Sequence, residues 1–239
     1  EIRSLDPTFK GKKYELLLRY IDGDGTSIPP NLFIPMAEKH GLITLIDRWV
    51  IRHALNLYQR KLLDDNTQVS INISGVSLSN KEFLAEVEDI LKQSSVSLSH
   101  FCFEVTETAV VANIETAINF IQALKKLGCE FSLDDFGSGA SSYGYLKSLP
   151  VDFVKIDGGF VRTMHEDPRD YALVQSIHQV CNVLGMQTVA EYVESDAVYD
   201  SACQLGIDYV QGYQIGKPKP LGQFIFDLSQ QEAVWLAYH

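Results

Sequence analysis

One repeated arrangement limits the folds open to this 239-residue chain more than any other feature. Three stretches with helical periodicity end in Leu-Gly, and each is followed at once by a short apolar run. Their glycines are Gly128, Gly185 and Gly206, which stand where a left-handed residue would close a helix. A helix, a glycine and then a strand, repeated along a chain, is typical of βα units that build a parallel sheet.

Seven short apolar runs are candidate strands, and helical patterns separate most of them. They are YELLLRY, VSINIS, FCFEVTE, FSLDD, DFVKID, TVAEYVE and YVQGYQIG. In a chain close to the usual barrel length, this series predicts an α/β fold, a TIM-barrel-like (β/α)8 barrel, as one domain over residues 1–239. An open, doubly wound sheet is the alternative, which the lack of a G-x-G-x-x-G turn after an early strand disfavours.

Residues that cap helices support this order. Asn113 is expected to begin one helix, and Asp167 followed by Pro168 is expected to begin the next long one. Ser79 or Asn80 is expected to begin the helix of KEFLAEVEDIL.

Nearly every candidate strand carries a polar residue in its middle or towards its end. In FCFEVTE, for example, Phe101 and Phe103 point to one face and Glu104 to the other, because successive side chains alternate. In a parallel barrel such residues converge on the mouth at the carboxyl ends of the strands, where active sites lie. The residues expected there are Glu15, Asn72, Glu104, Asp134, Asp135, Lys155, Glu191 and Gln211.

Carboxylates that meet in one cavity repel each other unless protons or cations neutralise them. Oxygen ligands without Cys or His favour Mg²⁺ or Mn²⁺ over zinc. Adjacent aspartates suit two ions, which can clamp the attacking and leaving oxygens of a phosphoryl displacement. Any one of these residues alone is more often a turn, cap or surface residue; their repetition along the strands predicts metal-dependent hydrolysis of a phosphate ester.

Asp134 and Asp135 place a specific demand on the backbone. Strand alternation would send their side chains to opposite faces, so a local twist at the strand end is needed if both are to bind metal. Gly137 and Gly139, in the loop that follows, are expected to permit it.

Composition limits the classes of partner and the cellular compartment expected for this chain. A net charge of −11 disfavours binding to duplex nucleic acid. No apolar run is long enough to span a membrane, no signal peptide is visible, and the initial Glu1 suggests a fragment of a longer protein. The cysteines lack metal or redox spacing, so reduced core thiols in a cytoplasmic domain are expected at Cys102, Cys129, Cys181 and Cys203.

Eight motifs, in order and over almost the whole chain, resemble the EAL domain family of cyclic di-GMP phosphodiesterases. They are YELLLRY, FIPMAEKHGLI, VSINIS, FEVTET, DDFGSGASS, LPVDFVKID, TVAEYVES and QGYQIGKP. The resemblance implies hydrolysis of cyclic di-GMP to linear pGpG with two Mg²⁺ or Mn²⁺ ions, and inhibition by Ca²⁺. It also implies a homodimer, with sensory, GGDEF-type or other signalling domains in the full-length protein.

The resemblance further implies residue roles. Glu15, Asn72, Glu104 and Asp134 would bind the first metal, and Asp134 would bridge to a second held by Asp135 and Glu191. Lys155 would orient the attacking water, with Glu15 and Glu191 also counted as catalytic. The substrate would contact Leu17, Arg19, Pro35, Asp157 and Gln211, and the loop after Asp135 would be supported by Glu107, Gly137, Ser138, Gly139 and Glu194.

Several positions depart from the family pattern, and none of them is a predicted metal ligand. They include Tyr192, where many members have glycine. Family members also usually have one more upstream strand, ending near residues 1–2, and its absence is expected to leave one barrel edge open. Two alternatives to the active enzyme remain: a receptor that binds cyclic di-GMP without cleaving it, and a barrel enzyme for another phosphodiester.

Overall fold

From Thr67 onwards, helices separate most of the strands along the chain, as the Leu-Gly repeats predict. The computed structural model describes residues 1–138 and 143–227. In these ranges the strands are β1 (Ile2–Ser4), β2 (Lys12–Leu16), β3 (Tyr20–Ile21), β4 (Ser27–Ile28), β5 (Thr67–Asn72), β6 (Phe101–Thr106), β7 (Glu130–Phe136), β8 (Phe153–Ile156), β9 (Gln187–Ala190) and β10 (Tyr209–Gln211). The helices are α1 (Pro30–Lys39), α2 (Ile43–Gln59), α3 (Gly75–Leu78), α4 (Lys81–Lys92), α5 (Glu107–Ala112), α6 (Ile114–Lys125), α7 (Gly158–Val161), α8 (Pro168–Val183) and α9 (Asp196–Leu205).

Eight of the strands form a closed barrel in the order β1-β10-β9-β8-β7-β6-β5-β2. Neighbouring strands from β2 through β5 to β10 run parallel, whereas β1 is antiparallel to both of its neighbours. The short strands β3 and β4 form a separate hairpin. The predicted TIM-barrel-like fold is therefore confirmed, with one strand reversed.

The expectation of an open barrel edge is wrong. The segment Ile2–Ser4 supplies the eighth strand, pairing Ile2 with Gln211 of β10 and with Lys13 of β2. Ile2 is buried inside the barrel in a small apolar cluster with Cys102, Phe153, Val189 and Tyr209. The chain thus contains the strand that the sequence was expected to lack.

Helix boundaries follow the predicted caps. The side chain of Asn113 accepts a hydrogen bond from the Thr116 N–H, and Asp167 accepts one from the Arg169 N–H at the start of α8. Asn80, rather than Ser79, caps α4. Gly128, Gly185 and Gly206 all have the expected positive φ, at +107°, +78° and +76°.

The main core lies between the barrel and the surrounding helices. The outward side chains of the strands, such as Phe103 and Phe131, pack there with Phe83 and Phe120 from α4 and α6. Burial of these apolar faces is what fixes the polar faces of the same strands inside the barrel.

Three of the four cysteines lie in the core. Cys102, Cys129 and Cys181 are buried as predicted, but Cys203 is exposed because it lies on the outer face of α9, so its assignment to the core is wrong. Within the described ranges, no helix combines the length and apolar character needed to cross a bilayer.

Candidate metal centre

The end of β7 carries two adjacent aspartates whose side chains reach the same place. The pairing of β7 with β8 shifts register between Leu133 and Phe136, and Asp135 has φ +56°. This bulge and the left-handed residue replace strict alternation. As a result, carboxylate oxygens of Asp134, Asp135 and Glu191 all lie within 4.8 Å of one another. The local twist that the sequence requires is confirmed.

Glu107 braces the backbone just after the two aspartates. Its buried carboxylate accepts a hydrogen bond from the Gly137 N–H at 3.0 Å and another from the Tyr145 O–H at 2.5 Å. Gly137 has φ +97°, and a Cβ there would lie 2.9 Å from the Phe160 ring, so only glycine fits. Tyr145 was missed in the sequence because nothing in the local pattern marks it as a partner of Glu107.

Lys155 lies at the centre of the acidic side chains and is almost fully buried. Its Nζ is 2.9 Å from Glu104 Oε2, 2.9 Å from Glu191 Oε1, 3.1 Å from Asp134 Oδ1 and 3.7 Å from Glu15 Oε2. Burial alone would lower the Lys155 pKa, but the four carboxylates raise it well above its ordinary value. Lys155 is therefore a permanent cation in the barrel mouth.

One lysine does not neutralise this many acids. Burial, with the nearby carboxylates, raises the pKa of Glu104 to about 8 and that of Glu191 to about 7, although Lys155 opposes both shifts. Burial, followed by the charge of Asp134, also raises the pKa of Asp135. The site therefore holds an excess of negative charge that favours the binding of protons or further cations.

Two amides fix the orientation of Glu15. Asn72 Nδ2 donates to Glu15 Oε1 at 2.8 Å, and Gln211 Nε2 donates to Glu15 Oε2 at 2.7 Å. Despite burial, Lys155 and these hydrogen bonds lower the Glu15 pKa. Glu15 is thus held as a carboxylate, ready to act as an oxygen ligand.

Unsatisfied oxygens show that the residues present fit a hard cation. Among the described residues, Asp134 Oδ1 and Gln211 Oε1 are buried and accept no hydrogen bond; Lys155 Nζ lies near Asp134 Oδ1 but outside hydrogen-bonding geometry. Buried polar atoms without a partner are costly. Oxygen donors alone, two of them unsatisfied, are the chemistry that Mg²⁺ or Mn²⁺ requires.

Three of the six predicted ligands converge on one point, and the other three lie beside it. Asp134, Asp135 and Glu191 form the three-carboxylate cluster, while Glu104 lies buried against Lys155. Asn72 belongs to the same mouth through its contact with Glu15.

The other predicted site residues lie around this mouth. Asp157 caps α7 by accepting the Gly159 N–H at 2.7 Å, and Ser138 Oγ donates to the Asp135 carbonyl at 2.9 Å. Arg19 Nη1 donates to the Leu18 carbonyl. Leu17 and Arg19 follow the end of β2 and are exposed, as are Pro35 in α1 and Glu194 after β9; Gly139 lies outside the described residues.

The fold and the site together define a barrel domain with a carboxylate cluster that could hold a metal ion, at the carboxyl ends of its parallel strands. The sequence pattern of the EAL domain family matches residues 9–218. The chain belongs to the EAL domain family.

Similar proteins agree with this assignment. The chain is 43% identical over 227 residues to cyclic di-GMP phosphodiesterase PdeB of Shewanella oneidensis, covering 93% of this chain and 26% of PdeB. It is 38% identical over 209 residues to cyclic di-GMP phosphodiesterase PdeF of Escherichia coli, covering 87% of this chain and 28% of PdeF. The chain therefore spans about a quarter of the length of these relatives.

Solved structures share the fold. The PaMucR phosphodiesterase in complex with c-di-GMP is 33% identical, with a TM-score of 0.81 over 88% of this chain and 86% of that one. The FimX EAL domain of Pseudomonas aeruginosa bound to c-di-GMP is 28% identical, with a TM-score of 0.84 over 91% and 88% of the two chains.

Proposed function

We propose that this domain is a phosphodiesterase that uses divalent metal ions to hydrolyse cyclic di-GMP to linear 5′-pGpG. The observation that carries the proposal is the convergence of Asp134, Asp135 and Glu191 on one point beside the buried Lys155. The relatives support the choice of substrate, because PdeB and PdeF are named as cyclic di-GMP phosphodiesterases and the similar PaMucR structure holds c-di-GMP.

Two Mg²⁺ or Mn²⁺ ions suit the donor set. Bound ions would make a water molecule nucleophilic near neutral pH and offset the charge on the scissile phosphate. The residues that would hold them are Glu15, Asn72, Glu104, Asp134, Asp135 and Glu191, with Asp134 shared between the two sites.

The protein's own groups have distinct tasks. Lys155 keeps its proton, donates to Glu104 and forms an ion pair with Glu191, so it holds these carboxylates in place and presents a fixed positive charge to the attacking water. Asn72 and Gln211 hold Glu15 with both of its oxygens oriented. Substrate contacts are proposed for Leu17, Arg19, Pro35, Asp157 and Gln211.

The first test is hydrolysis of cyclic di-GMP during titration with Mg²⁺ and Mn²⁺. Asp135→Asn keeps the shape of the side chain but replaces one carboxylate oxygen with an NH₂ donor and removes a charged metal ligand. We expect it to lower kcat by at least about 100-fold, since loss of even an outer contact of a metal site costs about 10- to 100-fold. Initial rates of pGpG formation measure the effect.

Asp65→Asn is the matched control. It makes the same chemical change at a side chain that is fully exposed and lies before β5, away from the mouth. Its rate should equal that of the wild type. Ca²⁺ should inhibit, because it prefers longer bonds and more ligands than Mg²⁺. Undiminished cleavage in excess chelator, or by Asp135→Asn, would refute the metal mechanism.

A receptor that binds cyclic di-GMP without cleaving it is the alternative. The similarity to the FimX EAL domain bound to c-di-GMP supports binding as such. Tight binding in calorimetry together with no pGpG at any metal concentration would favour the receptor.

The domains that flank this one in the full-length protein are also proposed. MucR of Pseudomonas aeruginosa, 34% identical over 214 residues, is named as a bifunctional diguanylate cyclase and phosphodiesterase. This supports GGDEF-type or sensory domains beside the present one in the full-length protein. Homodimer formation and a cytoplasmic location stay predictions.

A further inference from the structure

Tyr192 has an unusual backbone conformation at the rim of the metal centre. It directly follows Glu191 and has φ +52°, a left-handed conformation that is unfavourable for a bulky side chain. The residue is 46% exposed, between the buried Glu191 and Val193. A conformation of this kind persists only where the surroundings stabilise it, and it often marks a functional position.

Gly158 provides the space for this ring. A Cβ on Gly158 would lie 2.1 Å from Tyr192 Cδ2 and 2.6 Å from Cγ, so any side chain there would displace the tyrosine. The φ of Gly158 is not in the left-handed region, and its glycine is therefore explained by close packing rather than by backbone conformation. The small residue after β8 and the large residue after β9 fit each other.

The Tyr192 ring holds Arg162. The guanidinium carbon of Arg162 lies 3.9 Å from the ring centroid, in a cation–π contact. Arg162 is exposed, and within residues 1–138 and 143–227 it has no carboxylate partner, whereas Arg48 and Arg169 each pair with an acid. An unpaired arginine in a chain of net charge −11 is a group whose charge is available to an anion.

The contact with the ring leaves the guanidinium able to bind that anion. Within residues 1–138 and 143–227, no acceptor takes a hydrogen bond from its five N–H donors. These donors match the oxygens of a phosphate, often as a pair of parallel hydrogen bonds. A ring that fixes the guanidinium also reduces the entropy lost when it binds.

The position of the pair is at the same mouth as the metal centre. Arg162 follows β8, which carries Lys155, and Tyr192 follows β9 and Glu191, so the pair lies on the side of the carboxylate cluster. In the ring of eight strands β8 is four places from β2, which is followed by Arg19. Arg162 and Arg19 thus flank the mouth from opposite sides.

We propose that Arg162, positioned by Tyr192, binds a phosphate of the substrate on the metal side of the mouth. The proposal rests on the proposed function, because cyclic di-GMP is an anionic dinucleotide with two phosphates. Tyr192 is a positioning residue that acts through Arg162. Lysine in place of Arg162 would keep the charge but lack the planar set of N–H donors that matches the oxygens of a phosphate.

The test compares Arg162→Ala with Arg169→Ala, which removes the same charge from an exposed arginine paired with Asp167. We expect Arg162→Ala to raise KM for cyclic di-GMP about 10-fold with kcat within about twofold, as expected for loss of one charge-assisted hydrogen bond. The dependence of log KM on log salt concentration should become less steep, since one phosphate contact is lost. Arg169→Ala should change neither quantity.

Tyr192→Leu tests the positioning role. As a single substitution it should raise KM for cyclic di-GMP. In the Arg162→Ala background it should add little, because the two residues act as one unit. Mn²⁺ affinity of Arg162→Ala, measured by calorimetry, should equal that of the wild type. Equal KM and equal salt dependence for the two arginine variants would overturn the proposal. If the wild type cleaves no cyclic di-GMP, the proposed function fails, and the same comparison is made on the dissociation constant.

Discussion

At the scale of one residue, Lys155 shows how the negative charge of the site is partly neutralised. Four carboxylates surround its ammonium group, and two of them, Glu104 and Glu191, already have raised pKa values. The lysine therefore has a structural task, the separation of like charges, in addition to any part in hydrolysis. Removing it should leave charges that are buried and uncompensated.

Lys155→Met is predicted to lower the free energy of unfolding by about 3–5 kcal/mol at pH 7.5 in chelator, as for other buried ion pairs that lose one partner. Without the lysine, the pKa values of the remaining acids rise further. The folded state then binds more protons than the unfolded state, so the variant should regain stability as the pH falls from 8 towards 5.5. Urea unfolding at several pH values measures this.

The exposed Lys126→Met provides the comparison, because it makes the same substitution at the surface. It should unfold like the wild type at every pH. A Lys155→Met protein with the stability and pH dependence of Lys126→Met would show that the acids do not depend on the lysine.

At the scale of elements, one buried carboxylate joins helix α2 to the segment that follows Asn72. Asp47 Oδ2 accepts hydrogen bonds from the Ser74 N–H at 3.1 Å and from Ser74 Oγ at 2.8 Å. Ser74 in turn caps α3 by accepting the Ser77 N–H. The helix thereby fixes the end of the strand that supplies a predicted metal ligand.

Asp47→Ala is predicted to lower the free energy of unfolding by about 1–3 kcal/mol, because it leaves the part-buried Ser74 donors without a partner. Asp47→Asn retains an acceptor oxygen and should stay near wild-type stability at neutral pH. Burial raises the Asp47 pKa above its ordinary value of 3.8. The folded state therefore binds a proton more readily, and wild-type stability relative to Asp47→Asn should fall as pH rises from 3.8 through the raised value.

Urea unfolding of the wild type and both variants from pH 4 to pH 8 measures these differences in the free energy of unfolding. Equal destabilisation by Ala and Asn would mean that the carboxylate charge, and not the acceptor, is what Ser74 requires.

At the scale of the whole molecule, barrel closure depends on a strand of three residues. β1 joins β10 to β2, so without it two strand edges would be left unpaired. Ile2 anchors β1, with 5% of its surface exposed among Cys102, Phe153, Val189 and Tyr209.

Ile2→Ala is predicted to lower the free energy of unfolding by about 2–5 kcal/mol, the usual cost of removing this volume from a core. Ile21→Ala is the matched control, because Ile21 is 55% exposed in the separate hairpin, and it should stay within about 0.5 kcal/mol of the wild type. Equal values from urea unfolding would mean that β1 does not contribute to the stability of the barrel.

Much of the fold and the site could be read from local pattern. The Leu-Gly repeats predicted the βα units, and the caps at Asn113 and Asp167 are where the sequence places them. The polar residue on each strand predicted a cluster of acids at the barrel mouth. These features depend on residues close together in the chain, whose periodicity and hydrogen bonding are local properties.

Contacts between distant parts of the chain were decided only by the tertiary structure. Ile2 pairs with Gln211, and nothing in the short segment Ile2–Ser4 predicts a partner so distant in the sequence. The same holds for Tyr192, whose ring depends on the glycine at 158 and whose contact selects Arg162. The sequence by itself determined most of the elements and the chemistry of the mouth, because both follow from local periodicity and residue type. The tertiary structure decided closure and side-chain partners, because register and packing depend on surfaces that meet only after folding.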